Sequence, residues 1–160
     1  MRKLERFQAP DPEVNTLFQV YRTVSFWKVF KNTLINEIAR YYPFMTGKRN
    51  LYRRGMRMKI GTHSAVAFKV TMDLFFPEKI TIGQNTIIGF HSTILTHEYL
   101  IKEYRVGNVT IGDNVMIGAN VTVLPGVRIG DNATIAAGAV VSKDVPSGSF
   151  AYGNPLQIRD

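Results

Sequence analysis

Residues 109–146 read VTIGDNVMIGANVTVLPGVRIGDNATIAAGAVVSKDVP, and this stretch decides the fold. Ile111, Ile117, Val123, Ile129, Ile135 and Val141 fall at every sixth position without a break. Four places after each stands a small or β-branched apolar residue: Val115, Val121, Val127, Ala133, Ala139 and Val145. A period of six fits neither an amphipathic helix at 3.6 nor a half-buried strand at 2. A short repeat sustained this long marks a solenoid, whose units bury their apolar faces only by stacking on neighbours.

The residues between the anchors say how the chain turns. Three places after each anchor stand Asn114, Asn120, Gly126, Asn132, Gly138 and Asp144. Gly, Asn and Asp best tolerate positive φ, so each hexad carries its own corner. Strand, corner and strand in succession make a triangular prism with the aliphatic anchors inside. In these residues the sequence resembles the hexapeptide-repeat acyltransferases of the maltose and galactoside O-acetyltransferase kind. The resemblance implies a mainly β fold, a left-handed parallel β-helix, although crossover connections are otherwise right-handed.

At 160 residues the chain is one compact unit. It has no cysteine, which excludes disulfides and a cysteine nucleophile and is compatible with the cytosol. MRKLERFQAPDPE at the start lacks the apolar core of a signal peptide. SFWKVFKNTLINEIA, the most apolar early stretch, is interrupted by Lys28, Lys31 and Glu37, so no membrane span is expected. A cytoplasmic protein, soluble or peripheral to the inner face of the membrane, is the reading. The net charge of +8 is unevenly placed: residues 1–59 carry 13 Lys and Arg against four acids, residues 60–160 seven against eight. The chain therefore divides into a basic N-terminal helical segment, 1–59, and a β-helix domain, 60–160.

Residues 1–12 read as a polar loop ending in PDP, with a helix from Glu13 to about Tyr42, interrupted near Thr23–Ser25 and stopped by Pro43. Such a helix caps the open end of the prism. A second reading lays it on a membrane surface, with Phe26, Trp27 and Phe30 among lipids and Arg22, Lys28 and Lys31 near headgroups. KRNLYRRGMRMK, 48–59, holds six basic residues and no acid, and reads as a solvated face. With Tyr52 as its one aromatic it lacks the stacking side chains of a nucleic-acid module, so no nucleic-acid partner is expected. Ile60, Val66 and Met72 open the six-residue register, FFPEKIT inserts about four extra residues, and Ile82, Ile88 and Ile94 resume it. LTHEYLIKEYRVGN, 95–108, then leaves the repeat, and excursions from a rigid scaffold are where sites tend to lie.

The three histidines, His63, His91 and His97, each stand three residues after an anchor, in the corner slot. Histidine is enriched at positive φ, so each reads first as a corner residue. His97 escapes that reading best, because the repeat breaks immediately after it. The resemblance sharpens the choice: in the O-acetyltransferases a His following a small residue at the start of such a loop is the general base, and Thr96-His97-Glu98-Tyr99 stands at that place. An acceptor hydroxyl is a poor nucleophile until a base takes its proton, and imidazole suits that task near neutral pH. Glu103 and Glu98 are the candidates for orienting the ring. Glu103 ranks first, because it stands where the galactoside branch has a carboxylate and an adjacent Glu98 on an extended chain points away.

The resemblance also implies acetyl-CoA as co-substrate, no metal, and a homotrimer whose pantetheine groove runs between neighbouring prisms. Matching positions are Ala119, Ala137, Ser142 and Lys143, the last able to meet a phosphate. A basic residue often found after the GNP turn is Gln157 here, which leaves Arg159 to face the 3′ end of CoA. Asp73 and Asn85 are the candidates for acceptor hydroxyls. The expected reaction is O-acetylation of a sugar or cell-envelope glycan, with N-acetylation of an amino sugar as a variant. Two other classes compete. One is a metal lyase like the gamma-class carbonic anhydrases, although histidines on separate corners stand about 16 Å apart, too far to share a metal. The other is a non-catalytic β-helix that binds a partner through residues 1–59.

Overall fold

A computed structural model describes residues 2–160. A strand, β1 (Glu5–Gln8), is followed by turns and one 3-10 turn at Val20–Arg22. Helices α1 (Phe26–Tyr41) and α2 (Met45–Asn50) come next, and α2 runs into a π-helical turn at Leu51–Gly55. The prism then begins. Its first coil is β2 (Lys59–Ile60), β3 (Ala65–Val66) and β4 (Thr71–Met72); its second is β5 (Ile80–Ile82), β6 (Ile87–Ile88) and β7 (Thr93–Ile94). An excursion, β8 (His97–Tyr99) and β9 (Glu103–Val106), separates these from the third coil, β10 (Val109–Ile111), β11 (Met116–Ile117) and β12 (Thr122–Val123). The fourth coil is β13 (Arg128–Ile129), β14 (Thr134–Ile135) and β15 (Val140–Val141), and β16 (Phe150–Tyr152) with β17 (Gln157–Arg159) closes the end.

The strands stack into three parallel sheets, β2-β5-β10-β13, β3-β6-β11-β14-β16 and β4-β7-β12-β15, with β17 added antiparallel to β16, and the chain is a left-handed parallel β-helix. Anchors stack on anchors: Ile60 on Ile82 on Ile111 on Ile129, and Met72 on Ile94 on Val123 on Val141. All are buried, and with Val115, Val121, Val127, Ala133 and Ala139 they make one continuous core. Buried Ser64, Thr86 and Ser92 bond between coils, as when Thr86 Oγ1 donates to the Gly112 carbonyl at 2.8 Å and accepts the Val115 N–H at 3.1 Å.

Three edges follow from the three corners of each coil. The first edge carries His63, Asn85, Asn114 and Asn132, and the second Lys69, His91, Asn120 and Gly138, all at positive φ. From the second coil on, each donates its N–H to the coil before, as Asn114 does to the Gln84 carbonyl and Asn120 to the Phe90 carbonyl, both at 2.9 Å, whereas Lys69 of the first coil donates to the Arg40 carbonyl of α1 at 3.0 Å. The left-handed turn thus supplies one hydrogen bond per corner. The third edge is different: it holds the 73–79 insertion, the 95–108 excursion, Gly126 and Asp144.

The N-terminal segment departs from the sequence reading in three ways. Residues 5–8 are a strand and not a loop, because the unpaired edge of β9 accepts β1 in antiparallel register, Glu5 opposite Val106. The α-helix covers 26–41 of the expected 13–42: the chain enters extended at Ser25 and leaves extended at Tyr42, which Pro43 restricts. The basic run 48–59 is only partly solvated. Lys48, Tyr52, Met56 and Met58 are buried, while Arg53, Arg54, Arg57 and Lys59 are exposed. Lys48 Nζ donates to the Val66 and Ala67 carbonyls at 3.1 and 3.3 Å and lies 4.5 Å from the centroid of the Phe68 ring. Burial lowers its pKa from the ordinary lysine value.

Helix α1 covers the first coil with an unusual polarity. Its buried face is Asn32, Asn36 and Ala39, and its apolar residues Phe26, Trp27, Phe30, Leu34, Ile38 and Tyr41 are exposed. The two asparagines hold the chain around residue 73: Asn36 Oδ1 accepts the Met72 N–H at 3.1 Å and Asn32 Nδ2 donates to the Leu74 carbonyl at 2.8 Å. These groups leave the end of the prism with no further coil to pair them, and the helix supplies the partners.

Candidate active site

His97 opens the excursion as the first residue of β8, on the third edge. Unlike His63 and His91, whose φ values are 59° and 60°, it does not take the left-handed corner conformation. Thr96 before it is fully buried and donates its hydroxyl to the Phe76 carbonyl at 2.9 Å, which anchors the start of the strand. The ring packs 4.4 Å from Phe75, nearly parallel, and meets Tyr99 edge-on at 5.4 Å. Tyr99 stacks in turn on Tyr104 and Tyr104 on Phe7, so an aromatic wall runs from His97 into β1.

Nδ1 of His97 lies 2.6 Å from Oδ2 of Asp73, whose side chain is fully buried. The same carboxylate accepts the N–H of Thr96 at 2.7 Å on Oδ2 and those of Phe75 and Phe76 at 2.8 and 2.9 Å on Oδ1. Burial alone would raise the pKa of Asp73. The hydrogen bond and charge of His97, then the N–H groups of Phe76 and Thr96, outweigh it and hold the carboxyl below its ordinary value. An ionised carboxylate only accepts, so the proton of a neutral His97 stays on Nδ1 and the lone pair on Nε2. Nε2 has no hydrogen-bond partner among the described residues. Burial raises the pKa of the Tyr99 phenol, against the lowering effect of its hydrogen bond with Thr23 at 2.5 Å.

The carboxylate on His97 is therefore Asp73, and neither Glu103 nor Glu98. Glu103 pairs with Arg105 across its own strand, at 2.5 Å. Glu98 pairs with Arg2 and lies 3.8 Å from Arg105, because it points to the opposite face of β8 from the ring. Asp73, read as an acceptor ligand, has both oxygens taken and no solvent exposure. The sequence held a signal for its position: Asp73 follows Met72, His97 follows Ile94, and those anchors pair one coil apart.

The remaining candidates lie on different edges of one prism. Ser142 and Lys143 are exposed on the third edge, with His97. Ala119 and Ala137 flank Asn120 and Gly138 on the second edge. Asn85 is a first-edge corner, donating to Asn114 Oδ1 at 2.9 Å. Arg159 sits in β17 with its guanidinium 5.0 Å from the Tyr152 ring centroid. Beside the third edge a cavity of about 560 Å³ opens between Lys3–Glu5 and the third and fourth coils, with Gly126, Arg128 and Asp144 in its walls. His63, His91 and His97 are on three separate edges, and no three His, Asp or Glu side chains among the described residues are grouped as a metal site.

Comparison with known proteins identifies the family and the fold. The profile described as bacterial transferase hexapeptide (six repeats) matches residues 108–143. A Bacillus subtilis protein provisionally named acetyltransferase YvoF is 56% identical over 158 residues, 99% of this chain and 91% of its own. A Staphylococcus aureus protein provisionally named acetyltransferase SAS0727 is 54% identical over 145 residues, covering 91% and 90%. Among solved structures, the hexapeptide-repeat acetyltransferase VCA0836 of Vibrio cholerae, complexed with acetyl coenzyme A, superposes with a TM-score of 0.70 at 24% identity, over 84% of this chain and 86% of its own. Galactoside acetyltransferase in complex with coenzyme A does so at 0.62 and 24%, over 84% and 80%. The chain belongs to the bacterial hexapeptide-repeat transferases, with acetyltransferases as its relatives.

Proposed function

We propose that this protein transfers the acetyl group of acetyl-CoA to a hydroxyl of a sugar or cell-envelope glycan, with His97 as general base. The observation that carries the reading is the Asp73–His97 pair, with Nδ1 on a buried carboxylate and Nε2 unengaged. Nε2 takes the hydroxyl proton as the acceptor oxygen attacks the thioester carbonyl. The tetrahedral intermediate collapses, the C–S bond breaks, and the imidazolium returns the proton to the CoA sulfur. The acetyl ester and CoA–SH leave, and the ring is neutral again. An amine acceptor would follow the same course to an amide.

The donor reading is supported by the acetyltransferase names of the relatives and by the acetyl-CoA complex of the structural neighbour. A homotrimer is part of the proposal. Ala119 and Ala137 stand on one edge and His97, Ser142 and Lys143 on another, and only a groove between two prisms brings both edges to one pantetheine arm. The donor is an intracellular metabolite, so we assign the reaction to the cytoplasm. His97→Ala should lower turnover about 10²–10⁴-fold, the usual worth of a general base, while acetyl-CoA still binds by calorimetry. Near-normal turnover in that variant would remove His97 from the role.

A further inference from the structure

A second cavity, of about 460 Å³, opens between α1 and the turn that leads into β2. Trp27, Lys31, Asn32, Arg57 and the Lys28–Glu78 pair lie in its walls. The one acid is already neutralised, since Lys28 Nζ lies 2.7 Å from Glu78 Oε1. The side chains of Lys31 and Arg57 have no ion-pair or hydrogen-bond partner among the described residues. Arg57 is moreover held at φ 59°, a left-handed conformation rare for a long side chain. It lies between buried Met56 and Met58, whose N–H groups both bond the Tyr52 carbonyl.

Asn32 adds a second kind of signal. It is 1% exposed, its Nδ2 is fixed on the Leu74 carbonyl, and its Oδ1 has no partner. The Nδ2 bond fixes the amide orientation, so the orphan atom is an acceptor that wants a donor. A ligand matching the walls carries an anion for Lys31 and Arg57, a hydroxyl for Asn32 Oδ1, and a ring or chain to lie against Trp27. One aromatic ring, Phe76, stands between the cavity wall and the ring of His97. Lys28 Nζ lies 5.0 Å from the Phe76 ring centroid, and that ring is 6.3 Å from the His97 ring.

We infer that this cavity binds a polyol phosphate, as part of the acceptor whose hydroxyl reaches His97. The inference rests on the acyl-transfer reading, and it names the acceptor as a phosphate-bearing glycan or glycerol group. Its source is either a free sugar phosphate or the headgroup of an anionic lipid.

Trp27 is the single tryptophan of the chain and stands in the cavity wall, so its emission responds to binding there, and the substitutions of Lys31 and Arg57 separate the cavity from the exposed aromatic strip. The full-length protein would be titrated with glucose 1-phosphate, with phosphatidylglycerol vesicles and, as controls, with glucose and phosphatidylcholine vesicles. A saturable change with a phosphate probe, absent with its control, is expected. Arg57→Gly, which suits the left-handed backbone, and Lys31→Ala should each weaken it at least tenfold, with thermal unfolding at or above that of the parent. A response to glucose 1-phosphate marks the free source and one to phosphatidylglycerol alone the lipid source. Silence toward both phosphates, or binding untouched by the two substitutions, overturns the inference. The titration needs no turnover, so it stands apart from the His97→Ala test: activity surviving in that variant would sink the acyl-transfer reading whatever Trp27 reports.

Discussion

Asp73 gathers three backbone N–H groups and the His97 imidazole on two oxygens, and this shapes both the chemistry and the stability of the site. Asp73→Asn would keep an acceptor for Phe75 and Phe76 but turn an NH₂ toward Nδ1 and the Thr96 N–H. The ring is then pressed to carry its proton on Nε2, the atom that must be free to accept one. Turnover should fall about 10²–10⁴-fold with acetyl-CoA binding retained, measured by steady-state kinetics beside calorimetry. The same carboxyl predicts an acid response. Its folded pKa lies below the ordinary 3.8, so its contribution to stability is complete above that value and lost as pH falls through the folded pKa. The difference in thermal midpoint between the parent and Asp73→Asn should be level above pH 5 and shrink below about pH 3.8. A difference that grew on acidification would contradict the assignment of Asp73 as the depressed group.

At the scale of elements, α1 acts on the site from outside the prism, because Asn32 and Asn36 hold the residues on either side of Asp73. Asn36→Ala strands the buried Met72 N–H, which should cost about 1–3 kcal/mol in urea unfolding. If the helix also positions the pair, turnover falls further than acetyl-CoA affinity in that variant. Neither asparagine was legible in the sequence. A helix that caps the prism would be expected to bury its periodic apolar residues, yet Leu34 and Ile38 are exposed while the asparagines face the coil. The prism was legible to the residue, since a six-residue period has one structural solution and each Asn or Gly corner repeats it locally. His97 could be separated from His63 and His91 because the repeat ends beside it. Its partner was harder to see, because Asp73 stands one place after Met72 and His97 three after Ile94, and only the pairing of those anchors one coil apart brings the two to one edge. Strand β1 was hidden for another reason: ERFQ carries no signal of its own and becomes a strand only because β9 offers it an edge.

For the whole molecule, the distribution of candidates over edges makes a prediction about assembly. If the groove is shared, His97→Ala damages one wall and Ala119→Trp the other, and each variant alone should be nearly inactive. Mixed by co-refolding at equal amounts, random assortment around a heterologous ring would rebuild about a quarter of the sites. Recovery of activity in the mixture checks the trimer without a crystal; no recovery argues for a site built within one chain. The exposed strip of Phe26, Trp27, Phe30, Leu34 and Ile38 belongs to this scale too, since it lies outside every core the chain makes for itself. The pairing of β1 with β9 carries a last consequence, for synthesis and for handling. Residues 5–8 leave the ribosome long before residues 103–106, so β1 must wait unpaired until the hairpin that receives it has been made. Lys3 then packs its N–H on the Gly126 carbonyl at 3.1 Å, where even one added methyl on the glycine would collide with the backbone of Lys3. A purification tag fused ahead of residue 1 is thereby tethered beside the edge that carries His97.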